Sequence, residues 1–359
     1  MRKISASFLA FLSFNAHIAA LALPKAKPES ASGRDSKCAP FNGTFTINQY
    51  QLYPENADFD FKSCLLYMGS LFNATVAIYD PYASKMVDIL TFPNITHNTA
   101  YHIGGVGVDR RTGLVSIVVD AAAAFNTNGQ DVSGTNLIMQ WDPSTKTLAY
   151  QLNLTEITQG KYGGFQDVEQ DPDGNVFVVG SLPSSIMRVD KSGKKVEPWY
   201  VAQPIVTTQF GYGGLAAADW ILLANDNNGG QIVRFDMHAE KGTPIAVPHT
   251  PNTTIQSSDA IYLPPKYNSK VLLVAEDAFG VSVLRSKDGM WTSAEYLGRV
   301  LNNSTIAAGA SVTAPIQIGD SLYMVEEYFG DTPVTGSPAG NRSKFPFVDI
   351  TKEVEALLA

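Results

Sequence analysis

One four-residue pattern recurs along the chain and constrains its fold more than any other feature. A short apolar run ending in Asp occurs as Ala77-Ile78-Tyr79-Asp80, Met139-Gln140-Trp141-Asp142, Met187-Arg188-Val189-Asp190, Val233-Arg234-Phe235-Asp236 and Pro346-Phe347-Val348-Asp349, with Ser282-Val283-Leu284-Arg285 as a copy that ends in Arg. The six copies start 62, 48, 46, 49 and 64 residues apart. A second apolar run precedes each in phase: Leu65 to Gly69, Leu114 to Val119, Val176 to Gly180, Ile221 to Ala224, Val271 to Ala275 and Leu322 to Val325. These runs are short, rich in β-branched and aromatic residues and bounded by Gly, Pro, Asn and Asp, which is the pattern of strands; sustained helical periodicity is absent. A four-stranded unit of about 50 residues cannot bury its faces alone, so the repeat predicts an all-β chain closed into a six-bladed β-propeller. The sixth unit has no fourth strand after Asp349, whereas Thr44 to Leu52 is a strand without a unit. The N-terminal strand is therefore expected to close the last blade, with the propeller spanning residues 44–359.

Ahead of it, Arg2-Lys3, the largely apolar Ile4 to Leu21 and the small-x-small Ala20-Leu21-Ala22 have the form of a secretory signal peptide over residues 1–22. Ser5, Ser7, Ser13, Asn15 and His17 interrupt the apolar stretch and favour cleavage over anchoring. Residues 23–43 read as a flexible arm rich in Pro, Ser and charge. Cys38 and Cys64 either close a disulfide, as an oxidising compartment permits, or remain two thiols. Glycosylation sequons stand at Asn42, Asn73, Asn94, Asn153, Asn252, Asn302, Asn303 and Asn341. No later apolar run is long enough to span a bilayer, so no membrane partner is expected once the signal is removed. A net charge of −8, from 26 basic and 34 acidic residues, argues against nucleic acid as a partner.

Propeller topology places the links from fourth to next first strand, and from second to third strand, on one rim. Compact turns such as Asp171-Pro172-Asp173-Gly174 fall on the other rim and are read as turn geometry. The first rim carries the long insertions Ala121 to Thr135 and Gly330 to Lys344, and binding elements usually sit on such loops. There the inner-strand starts and second-strand ends are expected to bring Glu55, Asn56, Asp58, His102, Asp120, Gln166, Asp167, Glu169, Asn225, Asp226, Asp259, Glu276, Asp277, Glu326 and Glu327 to the central channel. Phe72, Tyr101, Phe125, Phe165, Phe210, Tyr212, Phe279, Tyr328 and Phe329 are expected to wall it. Acids gathered in a partly dry site repel one another, so pKa values rise and pairs share a proton. Either Ca²⁺ neutralises them through oxygen ligands, or a protonated carboxyl acts as general acid beside an ionised base. Gly211 to Ala216 fits a loose dinucleotide fingerprint but leads into a strand, so the phosphate-binding helix is missing.

Tyr53-Pro54-Glu55-Asn56-Ala57, Leu66-Tyr67-Met68-Gly69 and Ile78-Tyr79-Asp80-Pro81 resemble the opening blade of the six-bladed lactonase and gluconolactonase propellers. That resemblance implies a divalent cation held by a Glu, an Asn and an Asp. Glu55 matches the Glu, Ser258-Asp259-Ala260-Ile261 matches the strand bearing the Asp, and Gly213 stands where the Asn should fall. A longer match, Gln49 to Asp60 with Leu71 to Tyr82, is similar to the family of the fourteenth protein of the core trichothecene cluster of filamentous fungi. This second resemblance implies a role in mycotoxin biosynthesis and virulence, with closure of the oxygen-containing ring of a sesquiterpenoid skeleton.

The leading expectation is a monomeric propeller, secreted or held in a vesicle lumen, that takes an oxygenated terpenoid-like small molecule at its mouth. Glu55, Asp259, Glu326 and His102 are the expected catalytic groups, with Asn56, Gln166, Asp167, Asn225, Glu276, Tyr101, Phe165, Tyr212, Phe279 and Tyr328 as substrate contacts. This chemistry requires no cofactor. The runner-up is a calcium-dependent lactonase-like hydrolase holding its ion at Glu55 and Asp259, and the third reading is a non-catalytic effector that binds a host protein.

Overall fold

Each pair of apolar runs forms the middle of an antiparallel sheet in a computed structural model that describes residues 38–359. The expected signal peptide, and the expected arm up to residue 37, lie outside the described residues. The N-terminal strand β1 (Phe45–Asn48) precedes the first blade, β2 (Pro54–Asp60), β3 (Leu65–Ser70), β4 (Thr75–Asp80) and β5 (Lys85–Leu90). The second blade is β6 (Tyr101–Val108), β7 (Val115–Ala121), β8 (Leu137–Asp142) and β9 (Thr147–Asn153), with α1 (Ala122–Asn126) and α2 (Leu154–Thr158) in its rim loops. The third is β10 (Gly163–Gln170), β11 (Val176–Leu182), β12 (Ser184–Val189) and β13 (Val196–Val201), and the fourth is β14 (Tyr212–Ala218), β15 (Ile221–Asp226), β16 (Gln231–Asp236) and β17 (Ile245–Val247). In the fifth, β18 (His249–Thr250) lies parallel to the outer strand, and the inner strand β19 (Ile261–Tyr262) is followed by β20 (Val271–Glu276), β21 (Gly280–Arg285) and β22 (Ala294–Leu301). The sixth is β23 (Ser311–Ile318), β24 (Ser321–Glu327) and β25 (Lys344–Asp349).

Closure of the ring follows the strand count. β1 pairs antiparallel with β25, Phe45 opposite Phe347 and Ile47 opposite Phe345, so the last blade is completed from the other end of the chain. The paired strand is Phe45–Asn48, shorter than the Thr44 to Leu52 run that the sequence offers. Cys38 and Cys64 form a disulfide that fastens this closure to the first blade. Where the strand pattern predicts nothing, the C-terminus forms α3 (Thr351–Leu358), whose Val354 and Leu357 pack into the core beneath blades five and six. Among the described residues no helix is long and apolar enough to cross a membrane.

The core is divided into wedges between adjacent blades, because each middle strand alternates its side chains between two neighbours. On β24, Met324 packs in the wedge between blades five and six, and Val325 packs in the wedge between blades six and one. That alternation decides where the acids at the end of β24 face.

Candidate functional site at the channel mouth

Every blade places one extra residue at the same height of its inner strand. In β2, Pro54 opposes Ser70 and Asn56 opposes Gly69, which leaves Glu55 bulged out of the ladder. The register shifts likewise at Gly104-Gly105 in β6, Gln166 in β10, Gly213-Gly214 in β14 and Thr313 in β23. In the fifth blade Asp259 donates its N–H to the Ala275 carbonyl while Ala275 donates to Ala260, so two residues again face one. A β-bulge re-aims a side chain and twists its strand. Six bulges at one height therefore ring the mouth with Glu55, Gly104, Gln166, Gly213, Asp259 and Thr313.

The glycines in this ring leave space that their neighbours use. A Cβ on Gly104 would lie 3.3 Å from Glu55 Oε2, and one on Gly213 would meet the Ser258 carbonyl at 2.6 Å and Asn225 Nδ2 at 2.7 Å. Gln166 Nε2 donates to the Gly213 carbonyl at 2.8 Å and to Asp259 Oδ1 at 3.3 Å, which ties blades three, four and five together at the opening. Asn225 is fully buried, accepts from Gly214 N–H at 2.5 Å and donates to Ser258 Oγ at 2.6 Å. It braces the frame of the site. Asn56 donates to Asp167 Oδ1 at 3.0 Å, and Asp167 also accepts from the backbone N–H of Val168 and Leu215.

Burial drives the electrostatics of the mouth. Glu55 is pushed well above the usual carboxylate range, first by burial and then by Asp259, Asp120, Asp167 and Glu327. Asp259 rises for the same reason, with Asp277 and Asp167 adding to the burial cost. Asp120 and Asp167 are each raised to about 7 by burial, against which the donors on Asp167 pull downward. His102 is lowered to about 4 by burial, so its imidazole is neutral; its Nδ1 lies 3.8 Å from Asp120 Oδ2 and its ring meets Phe72 edge-on. Glu55 Oε2, Asp120 Oδ2 and both oxygens of Glu327 are buried with no hydrogen-bond partner. An unpaired buried carboxylate is costly, so these groups hold protons or await a partner.

The far end of the channel is built differently. There Asp58 and Glu169 face Arg110, whose guanidinium lies over the Tyr262 ring at 5.6 Å and donates to its hydroxyl at 3.2 Å. Between the two ends the channel holds a cavity of about 30 Å³, lined in part by Asn56, Asp167 and Ala314. That is room for one or two waters.

Several expected contacts are placed elsewhere. Glu326 and Glu327 are neighbours on one strand and face opposite ways: Glu326 continues the Met324 face toward blade five, and Glu327 lies on the side of blade one and acts on Glu55. The structure thus joins Glu327, rather than Glu326, to the acids of the mouth. Phe165 and Tyr212 are buried in wedge cores, Tyr212 stacked on Tyr200. Glu276 is fully buried and ion-paired with Arg299. Tyr328 is buried beneath Arg342, and Arg342 chelates Asp331, anchoring the long loop after β24. Tyr101 is half-buried against the wedge between blades one and two. Phe279 remains exposed at the rim. Thr313, Gly104-Gly105 and Gly163-Gly164 were not singled out in the sequence; with Gly213-Gly214, the glycine pairs at successive inner-strand starts are the signal that could have found the bulges.

A calcium cage does not fit these side chains as placed. The Gln166 amide turns its N–H toward Asp259, a donor where a cation requires another oxygen, and Gly213 has no room for the missing amide. Among the described residues no three His, Cys, Asp or Glu converge as a metal site.

A family model described as Mal s 1 allergenic protein-like matches residues 34–299. Trichothecene biosynthesis protein 14 of Trichoderma arundinaceum is 39% identical over 339 residues, covering 90% of this chain and 92% of that protein. Core trichothecene cluster protein 14 of Fusarium sporotrichioides is 33% identical over 343 residues, covering 91% and 90%. Among solved structures, the major Malassezia sympodialis allergen Mala s 1 superposes with a TM-score of 0.73 at 19% identity, over 86% of this chain and 96% of that one.

Proposed function

The chain belongs to the Mal s 1 allergenic protein-like family and to that of the two fungal trichothecene proteins, and from this we propose that it acts in trichothecene-type biosynthesis, on an oxygenated sesquiterpenoid held at the channel mouth. The observation that carries the reading is the set of buried, unpartnered acid oxygens on Glu55, Asp120 and Glu327 beside a neutral His102. Ring closure between two hydroxyls needs little beyond positioning, a proton for the departing oxygen and a base for the attacking one. Glu55 and Asp259 share a proton, and the Gln166 N–H on Asp259 favours the charge there, so Glu55 carries the proton. Glu55 protonates the departing hydroxyl, which leaves as water. The second hydroxyl forms the ether bond and gives its proton to Asp259, and transfer within the pair restores Glu55. His102, neutral and buried, accepts a hydrogen bond that orients the substrate. The Cys38–Cys64 disulfide supports a route through an oxidising compartment, and with it secretion or a vesicle lumen.

The test replaces trichothecene biosynthesis protein 14 of Trichoderma arundinaceum with this chain, as wild type, Glu55→Gln or Asp259→Asn, and profiles the terpenoids. Restoration by the wild type and loss in both folded variants is expected. Equal restoration by all three would overturn the assignment of the mouth.

A further inference from the structure

A second cavity lies away from the mouth, in the flank between blades five and six. Its volume is about 410 Å³, against about 30 Å³ in the channel, and small-molecule pockets run from roughly 300 to 1,000 Å³. The flank cleft falls in the range that accommodates a molecule of terpenoid size.

The cleft follows from how the sixth blade is assembled. Second and third strands pair at five or six positions in the other blades, as in β3 with β4 and β20 with β21. β24 and β25 pair at two, Tyr323 with Asp349 and Met324 with Val348. The cleft is lined at this short pairing, by Met324, Val348, Asp349 and Ile350. α3 closes one end through Leu357, and the loop after β22 closes the other through Asn303 and Ser304. Between them Val300, Leu301, Met324, Val348 and Ile350 form an apolar wall, and Leu301 is 59% exposed at the lip.

Of the charges lining this wall, Glu353 is exposed on the first turn of α3, and the others are engaged. Arg299 is paired with Glu276, and Asp349 accepts from the N–H groups of Gly43 and Thr351. Ser304 and Asn303 remain as neutral hydrogen-bonding groups at the lip.

We propose that the cleft between the fifth and sixth blades is a second small-molecule site, one that takes a neutral, mostly apolar molecule carrying one or two hydroxyls. The adaptable Met324 and the apolar wall enclose its hydrocarbon body, with Ser304 and Asn303 at the lip as hydroxyl partners. The terpenoid class of this ligand rests on the functional reading above, whereas the site itself rests on the cavity and its apolar lining.

Equilibrium dialysis with farnesol, a neutral C15 alcohol, tests it on the folded chain. Ser304→Trp fills the lip without removing a capping hydrogen bond, since the Ser304 side chain makes none to the short turn that follows. The wild type and Glu55→Gln are expected to bind one equivalent alike, with Ser304→Trp weaker by about tenfold or more. No binding by the wild type, or binding that Ser304→Trp leaves unchanged, would overturn the site. Binding lost in Glu55→Gln and kept in Ser304→Trp would assign farnesol to the mouth, refuting the cleft while sparing the reading of the mouth.

Discussion

Asp120 shows what burial does to a single acid. Its folded-state pKa, raised to about 7, lies above the unfolded value near 4. Between those values the folded chain keeps a proton that the unfolded chain releases, so stability falls as pH rises through the window and the loss is complete above about 7. Asp120→Asn removes that penalty. It is expected to gain about 4 kcal/mol over the wild type near pH 8 and under half of that near pH 5, read from denaturant melts at both values. Gly213 makes the opposite kind of prediction. Gly213→Asn, which restores the amide of the lactonase-like pattern, drives a side chain into Asn225 and the Ser258 carbonyl and is expected to cost about 2 kcal/mol or more in a urea melt, with no gain in Ca²⁺ binding by calorimetry. Residue types at the mouth were legible in the sequence, and residue directions were less so. Glu326 and Glu327 differ by one position on a strand of period two, so choosing between them required the register of β24.

At the scale of elements, the inner-strand bulges do the positioning. A bulge adds one residue without changing the apolar pattern on either side, so the strands could be read from sequence while the insertion that turns Glu55 and Gln166 toward the channel could not. The closing strand was legible because the sixth unit is one strand short. The helix α3 was not, because eight residues are too few to show helical periodicity. The disulfide bears directly on closure: it spans 26 residues and tethers the segment before β1 to β2–β3. Replacing both cysteines with serine is expected to lower unfolding free energy by about 3 kcal/mol, and limited proteolysis should then cut first near β1. Equal stability of the two forms would mean that strand pairing alone holds the ring.

For the whole molecule, many acids outweigh one histidine. Glu55, Asp120, Asp167, Asp259, Glu326 and Glu327 all have raised folded pKa values, and each contributes stability that is lost as pH climbs. His102, lowered to about 4, acts the other way: the unfolded chain takes up a proton below about 6.5 that the folded chain refuses, so its contribution falls on acidification to about 4. The sum predicts a melting temperature higher near pH 5.5 than near pH 8, measured calorimetrically at constant ionic strength. The six-fold plan was the most legible feature of all, since a ring of short blades repeats its strand pattern six times and any one weak copy, such as Ser282 to Arg285, is rescued by the rest. The central claim is that the bulged ring keeps a protonated carboxyl at the mouth in neutral solution. Infrared difference spectroscopy of the folded chain against Glu55→Gln at pH about 7 measures this directly. A protonated-carboxyl C=O band present in the wild type and missing from the variant is the predicted result. A wild type whose Glu55 gives only the ionised carboxylate bands would contradict the account.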